Sequence, residues 1–177
     1  MNIEPLIPKL PLLRTWIEDL LKRHAAESKP LAHYAPQRIS AYFPKQTLDS
    51  VRVVKVPKLP IPPLSALGLS QFADFENGDY AAITYLNTYF MVDGVIRNEG
   101  VHFHEIVHTV QWTHLGVDRF ILAYAIGLMQ FGYVDSPLEV MARKYEQKFQ
   151  TGTLFSAEDE IIAELNKTII PTLPKLS

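Results

Sequence analysis

No cysteine occurs among the 177 residues. That removes disulfide bonds, Cys-ligated zinc ribbons, iron–sulfur clusters and thiolate nucleophiles together. Any metal must bind through His, Asp or Glu. Glycine is missing before Gly68, and ten of the thirteen prolines lie at or before Pro63, so the first third of the chain is built differently from the rest. A surplus of charge is missing too: 17 Lys+Arg stand against 19 Asp+Glu. Without a basic excess to neutralise phosphates, no nucleic-acid partner is expected. Nor is there a long apolar run. No charge-free stretch exceeds 15 residues, the length of the one from Phe120 to Val134, whereas a spanning helix needs about 20. A buried core helix is expected there, and membrane contact is not. The N-terminus interrupts its apolar residues with Glu4, Pro5, Pro8 and Pro11 and has no basic start. It makes a poor secretory signal, and the expected location is cytoplasmic.

What is present supports one sizeable core, with 47% hydrophobic and 11% aromatic residues. Leu13, Trp16, Ile17, Leu20 and Leu21 recur at helical spacing after a Pro-rich lead-in, which predicts a helical arm over residues 1–45. Residues 46–177 form the metal-binding part of what is expected to be one compact domain. Two segments rich in β-branched and aromatic side chains, 47–56 and 80–92, predict strands, the second closed by Asp93-Gly94. Helices follow. Asn98 caps one that Gly116 stops, a second runs from about Asp118 to Phe131, and a third starts at Ser136-Pro137 with Glu139 placed for a capping box. A last helix spans about Ala157 to Lys167. The expected class is α+β: a small, mostly antiparallel sheet packed on a helical part, with the N-terminal arm beside it.

Four of the six histidines fall between residues 102 and 114. His104 and His108 stand four apart, about 40° around a helix, so both imidazoles leave one face on adjacent turns and can grip one ion. Glu105 lies one position on, within reach of a water on that ion. This His-Glu-x-x-His arrangement suits hydrolysis: two neutral imidazoles leave a zinc ion most of its charge, and Glu105 serves as general base. Gln111 shares the face and is a candidate for a supporting hydrogen bond. An open catalytic site needs a third protein ligand, and three residues compete. His114 has metzincin spacing, but Gln111 occupies the position of the turning glycine, and on a continuing helix His114 faces about 240° away from His108. Glu139 starts the third helix after a second one long enough to bring the chain back. Glu146 is the next alternative. His102, about 160° from His104, reads as an ordinary satisfied polar residue. Tyr124, Tyr133 and Tyr145 are phenols that could meet a developing oxyanion, with Tyr133 favoured by its place beside Gly132.

The run Thr84-Tyr85-Leu86-Asn87-Thr88-Tyr89-Phe90, the motif His104-Glu105-x-x-His108-x-x-Gln111 and the tetrad Ser136-Pro137-Leu138-Glu139 together resemble a bacterial family of compact zincin-like, gluzincin-type metallopeptidase domains. The similarity covers about residues 47–150. It implies a zincin-like fold and a zinc ion on His104, His108 and Glu139, with Glu105 as base. The chain departs from the pattern at Leu86, where the family has glycine, at Ser136, where asparagine is usual, and at Met141, where a second acidic residue is common. The expected function is zinc-dependent hydrolysis of a peptide or protein substrate, laid along the strand at 83–92. The alternative is a zinc-stabilised, non-catalytic protein-interaction module.

Overall fold

The computed structural model describes residues 5–34 and 37–174. The first four residues, part of the leader reading above, lie outside them. Helix α1 (Leu10–Arg23) buries Leu10, Leu13, Ile17 and Leu20 along one face, as their spacing requires. A short strand β1 (Lys29–Pro30) and a helix α2 (Lys45–Ser50) lead into β2 (Arg52–Val56). After the Pro-rich segment 57–63 and the short α3 (Ala73–Glu76) come β3 (Ala82–Tyr85) and β4 (Thr88–Val92). Four helices complete the chain: α4 (Glu99–Leu115), α5 (Val117–Asp135), α6 (Pro137–Gln150) and α7 (Ala157–Glu164). The fold is α+β. Among the described residues, no helix is long and apolar enough to cross a membrane.

The sheet has the order β1-β2-β4-β3 and is mixed rather than mostly antiparallel. β2 and β4 run parallel over five residue pairs, from Arg52↔Thr88 to Val56↔Val92, while β1 and β3 pair antiparallel at the two edges. The parallel pairing follows from the long connection between β2 and β4, which holds the Pro-rich segment, α3 and β3; only a crossover of that length brings a strand back in the same direction. Two strand boundaries also differ from expectation. The segment 47–56 starts as helix and becomes strand only at Arg52, where Val53, Val54 and Val56 concentrate the β-branched side chains. The segment 80–92 is a hairpin rather than one strand, folded at Leu86 and Asn87. Leu86 sits at φ 58, the left-handed region that glycine enters without cost.

α4 lies at the centre of the molecule, packed against β3, α5, α6 and α7. It has no solvent face in the usual sense: Phe103, Ile106, Val107, Val110, Trp112 and Leu115 bury apolar surface on several sides, and His102, Glu105, His108 and Gln111 are buried among them. Asn98 caps it, its side chain accepting from the Gly100 and Val101 amides, and Gly116 ends it at φ 74. Phe103 stacks on Phe149 of α6 at 4.5 Å, and Trp112 stacks on Phe120 of α5 at 3.8 Å. These contacts fix the motif helix between its two neighbours.

The N-terminal third shares this core. Ile17, Leu20, Leu31, Ile39 and Phe43 belong to one apolar cluster with Val53, Phe90 and Phe103. A second cluster joins Leu10 and Leu13 of α1 to Leu122 and Ala125 of α5. Arg14 adds an ion pair to Asp118 at 2.6 Å, largely exposed and therefore a small contribution.

Candidate metal centre

α4 and the first turn of α6 meet at a cluster of three side chains. His108 Nε2 lies 3.2 Å from Glu139 Oε1, His104 Nε2 lies 3.4 Å from Glu139 Oε2, and the two Nε2 atoms are 3.1 Å apart. The structure brings Glu139 to the pair by a break in the chain. Gly132 interrupts α5 with φ 71 and ψ −178, and α6 restarts at Pro137, in the first turn of which Glu139 stands. Gly127 of α5 permits the approach, because any side chain there would collide with Ser136. The capping box that Ser136 and Glu139 could form, the alternative to a ligand role for Glu139, is not made. Ser136 makes no capping hydrogen bond and its buried hydroxyl has no partner, so the Glu139 carboxylate is released for the histidines.

Hydrogen bonds on the far side of each ring decide what the Nε2 atoms can do. His108 Nδ1 faces Gln111 Oε1 at 2.8 Å, and Gln111 Nε2 donates to the Leu138 carbonyl at 3.1 Å. That second bond orients the amide, so its oxygen accepts from His108 Nδ1–H. His104 Nδ1 donates to Glu146 Oε2 at 3.2 Å. In the neutral tautomers both Nε2 atoms are then bare lone pairs, aimed with a carboxylate at one point. Acceptors alone repel, so the cluster calls for positive charge at that point, from a metal ion or from a proton. Two donors each about 2.1 Å from a tetrahedral zinc lie about 3.4 Å apart; the two Nε2 atoms, 3.1 Å apart, come near that edge, and each meets a different oxygen of Glu139. His104, His108 and Glu139 therefore form a group that fits a metal ion.

Further side chains hold this group in place. Tyr124 of α5 donates to Glu139 Oε1 at 2.8 Å, and Arg143 lies 3.4 Å from Glu139 Oε2. Thr84 of β3 donates to Glu105 Oε2 at 2.6 Å, and its carbonyl accepts from Trp112 Nε1. Glu105 is 4% exposed. Burial raises its pKa against the pull of His104 and His108. On His104 burial works the other way, but hydrogen bonds to Glu139 and Glu146 overcome it and push the pKa up to about 10. Burial also opposes the charge on Glu139, yet His108 and His104 hold it well below the usual carboxylate range. In the metal-free chain, a proton on His104 supplies positive charge beside Glu139.

This predicts a characteristic pH response. His104, raised from 6.5, contributes stability that is fully present below 6.5 and lost as the pH climbs through about 10. Glu105, also raised, acts in the same sense, and the contribution of Glu139 is lost only in acid. The metal-free chain should therefore lose roughly 1.4 kcal/mol per pH unit and proton as the pH rises above 6.5. With a divalent ion in excess the folded histidines stay deprotonated, so stability rises up to pH 6.5 and then levels. Urea unfolding between pH 6 and 9 with and without zinc measures this; a metal-free curve that is flat or rising above 6.5 contradicts it.

The other expected residues fall elsewhere. His114 bonds through Nε2 to Asn166 and has no place in the group. Glu146 sits on the Nδ1 side of His104 and orients its ring, outside the group of three. His102 is satisfied, accepting from the Tyr89 hydroxyl at 2.6 Å and donating to the Ile96 carbonyl at 2.8 Å, and burial lowers its pKa. Tyr145 donates to Glu164, away from the cluster. Tyr133 faces the site beside Tyr80, where burial and the charges of Glu139 and Glu105 keep its phenol protonated. β4 is paired on both sides, so of the segment 83–92 only the β3 part lies at a sheet edge. Thr84 and Glu146 were not singled out for these roles. Glu146 stands seven residues after Glu139 on the same helical face, which is the signal that finds it. Comparisons of the chain with protein families, curated proteins and solved structures find no match.

Proposed function

We infer that the chain is a zinc-dependent hydrolase of peptide bonds with a zincin-like arrangement of its motif helix. The observation that carries this reading is the convergence of two imidazole Nε2 atoms and one carboxylate, with a second carboxylate, Glu105, outside the group on the intervening residue of the same helix. Zinc suits His and carboxylate donors and, when bound, supplies a Lewis acid that acidifies water and polarises a carbonyl. His104, His108 and Glu139 would hold it.

The chain's own residues supply the rest. Thr84 occupies Glu105 Oε2, leaving Oε1 as the proton acceptor. Burial raises the Glu105 pKa toward the working range of a general base, so Oε1 takes a proton from the attacking water and hands it to the leaving amine nitrogen. The protonated phenol of Tyr133 is a donor for the developing oxyanion. Tyr124 and Gln111 keep Glu139 and His108 in position. A purely structural zinc site has no use for a buried base held ready by Thr84, which weighs against the interaction-module alternative.

The test is cleavage of a mixture of blocked peptides by the zinc-loaded chain, followed by mass spectrometry. New termini are expected, abolished by a chelator and restored by zinc. No cleavage by a chain shown to carry zinc contradicts the hydrolase reading.

A further inference from the structure

Beside the cluster lies a chamber of about 120 Å³, and His104, Glu105, His108 and Glu139 share its lining. Its other walls come from parts of the chain that bear no motif: Leu13, Trp16 and Ile17 of α1, Leu64 from the segment after the prolines, and Ile121 and Leu128 of α5. Apart from the cluster and Glu105, no ionisable group other than tyrosine phenols lines it among the described residues. Protein interiors are close-packed, and a gap forfeits dispersion contacts around its whole lining. An apolar occupant would make the dispersion contacts that the empty lining forgoes.

We propose that the chamber receives one uncharged, bulky apolar side chain of the substrate, of leucine or phenylalanine size, on a residue next to the bond hydrolysed. This rests on the hydrolase reading and specifies its substrate class. A cavity of about 150 Å³ lined by aliphatic and aromatic residues takes up benzene, so a space of about 120 Å³ is of the order that one such side chain fills. The chemistry agrees. A Lys or Asp side chain against the apolar wall would leave water with no counter-ion beside it, since the ionised groups of the lining belong to the cluster at the other end. The phenols of Tyr80, Tyr124 and Tyr133 form the seam between apolar wall and cluster, with Tyr124 bonded to Glu139 and Tyr133 under the charges of Glu139 and Glu105. A peptide with its side chain inside thus has its backbone amide at the polar end. The N-terminal helix is accordingly part of the specificity site rather than an appendage.

The chain's two tryptophans, Trp16 and Trp112, both line the chamber, so their fluorescence reports its occupancy with or without metal. The experiment titrates the full-length metal-free chain with acetyl-Gly-Gly-Xaa-Gly-Gly-amide peptides, Xaa being Leu, Phe, Asp or Lys, and measures zinc uptake on the same preparations. The Leu and Phe peptides are expected to bind at least about tenfold more tightly than the Asp and Lys peptides. Ala125→Phe, which fills the chamber from α5, is expected to abolish that difference while zinc uptake persists. Should that variant not fold, Leu128→Asp, at a half-buried position, is expected to reduce Leu and Phe binding about tenfold. Equal affinities overturn the proposal, and so does discrimination that survives the variant. Zinc uptake and cleavage without discrimination overturn the chamber alone; discrimination without zinc uptake upholds the chamber and removes the hydrolase reading.

Discussion

Replacing Glu105 by glutamine is expected to leave zinc bound and to slow peptide cleavage by about 10²–10⁴-fold, the usual worth of a positioned general base. The substitution isolates the proton-transfer role because it changes almost nothing else. Glutamine has the same size, its amide oxygen can still accept from Thr84 Oγ1, and none of the three converging donors is altered. Removing a buried carboxylate whose pKa burial has raised also removes a desolvation cost, so the variant should be no less stable than the parent. Steady-state cleavage of the best peptide from the mixture, with zinc measured on the same sample, checks this. Undiminished turnover contradicts the assigned role, and lost zinc would show that Glu105 supports the ligands instead.

The second large effect separates the competing third ligands. Glu139→Ala is expected to weaken zinc binding by more than about a hundredfold, beyond what loss of a supporting partner does. His114→Ala should leave it unchanged, because His114 is committed to Asn166. Tyr124→Phe falls between, at about 10–100-fold, through the lost hydrogen bond to Glu139 Oε1. Glu139→Ala also strands the buried Tyr124 hydroxyl at a cost of about 1–3 kcal/mol, so Glu139→Gln, which keeps that bond, is the companion variant. Competition with a chromophoric chelator gives the affinities. Equal losses in Glu139→Ala and His114→Ala contradict the geometry.

The legible parts of this molecule were those whose signals are local. Asn98 and Gly116 bracket α4 within its own sequence, and the four-residue step from His104 to His108 sets both rings on one face wherever the helix goes. Glu139 shows where local reading stops. In sequence it completes a capping box with Ser136, and only the placement of α6 against α4 shows the carboxylate turned to the histidines, with Ser136 left unpartnered. The hairpin at 86–87 was hidden because Leu86 holds the left-handed turn position that glycine would have advertised. The hydrogen bond from Thr84 to Glu105 spans 21 residues, and the chamber draws on α1 and α5 together; the spacing of Leu13, Trp16 and Ile17 announces a helix face without saying what it covers.

The chemistry proposed for the three converging side chains depends on the ion. Elemental analysis of the chain purified without added metal, with His108→Ala as control, tests it most directly. About one zinc per chain, absent from the control, is the predicted result. A wild-type chain that carries no zinc and takes up none on addition would contradict it, and would leave the three converging side chains to be explained by protons alone.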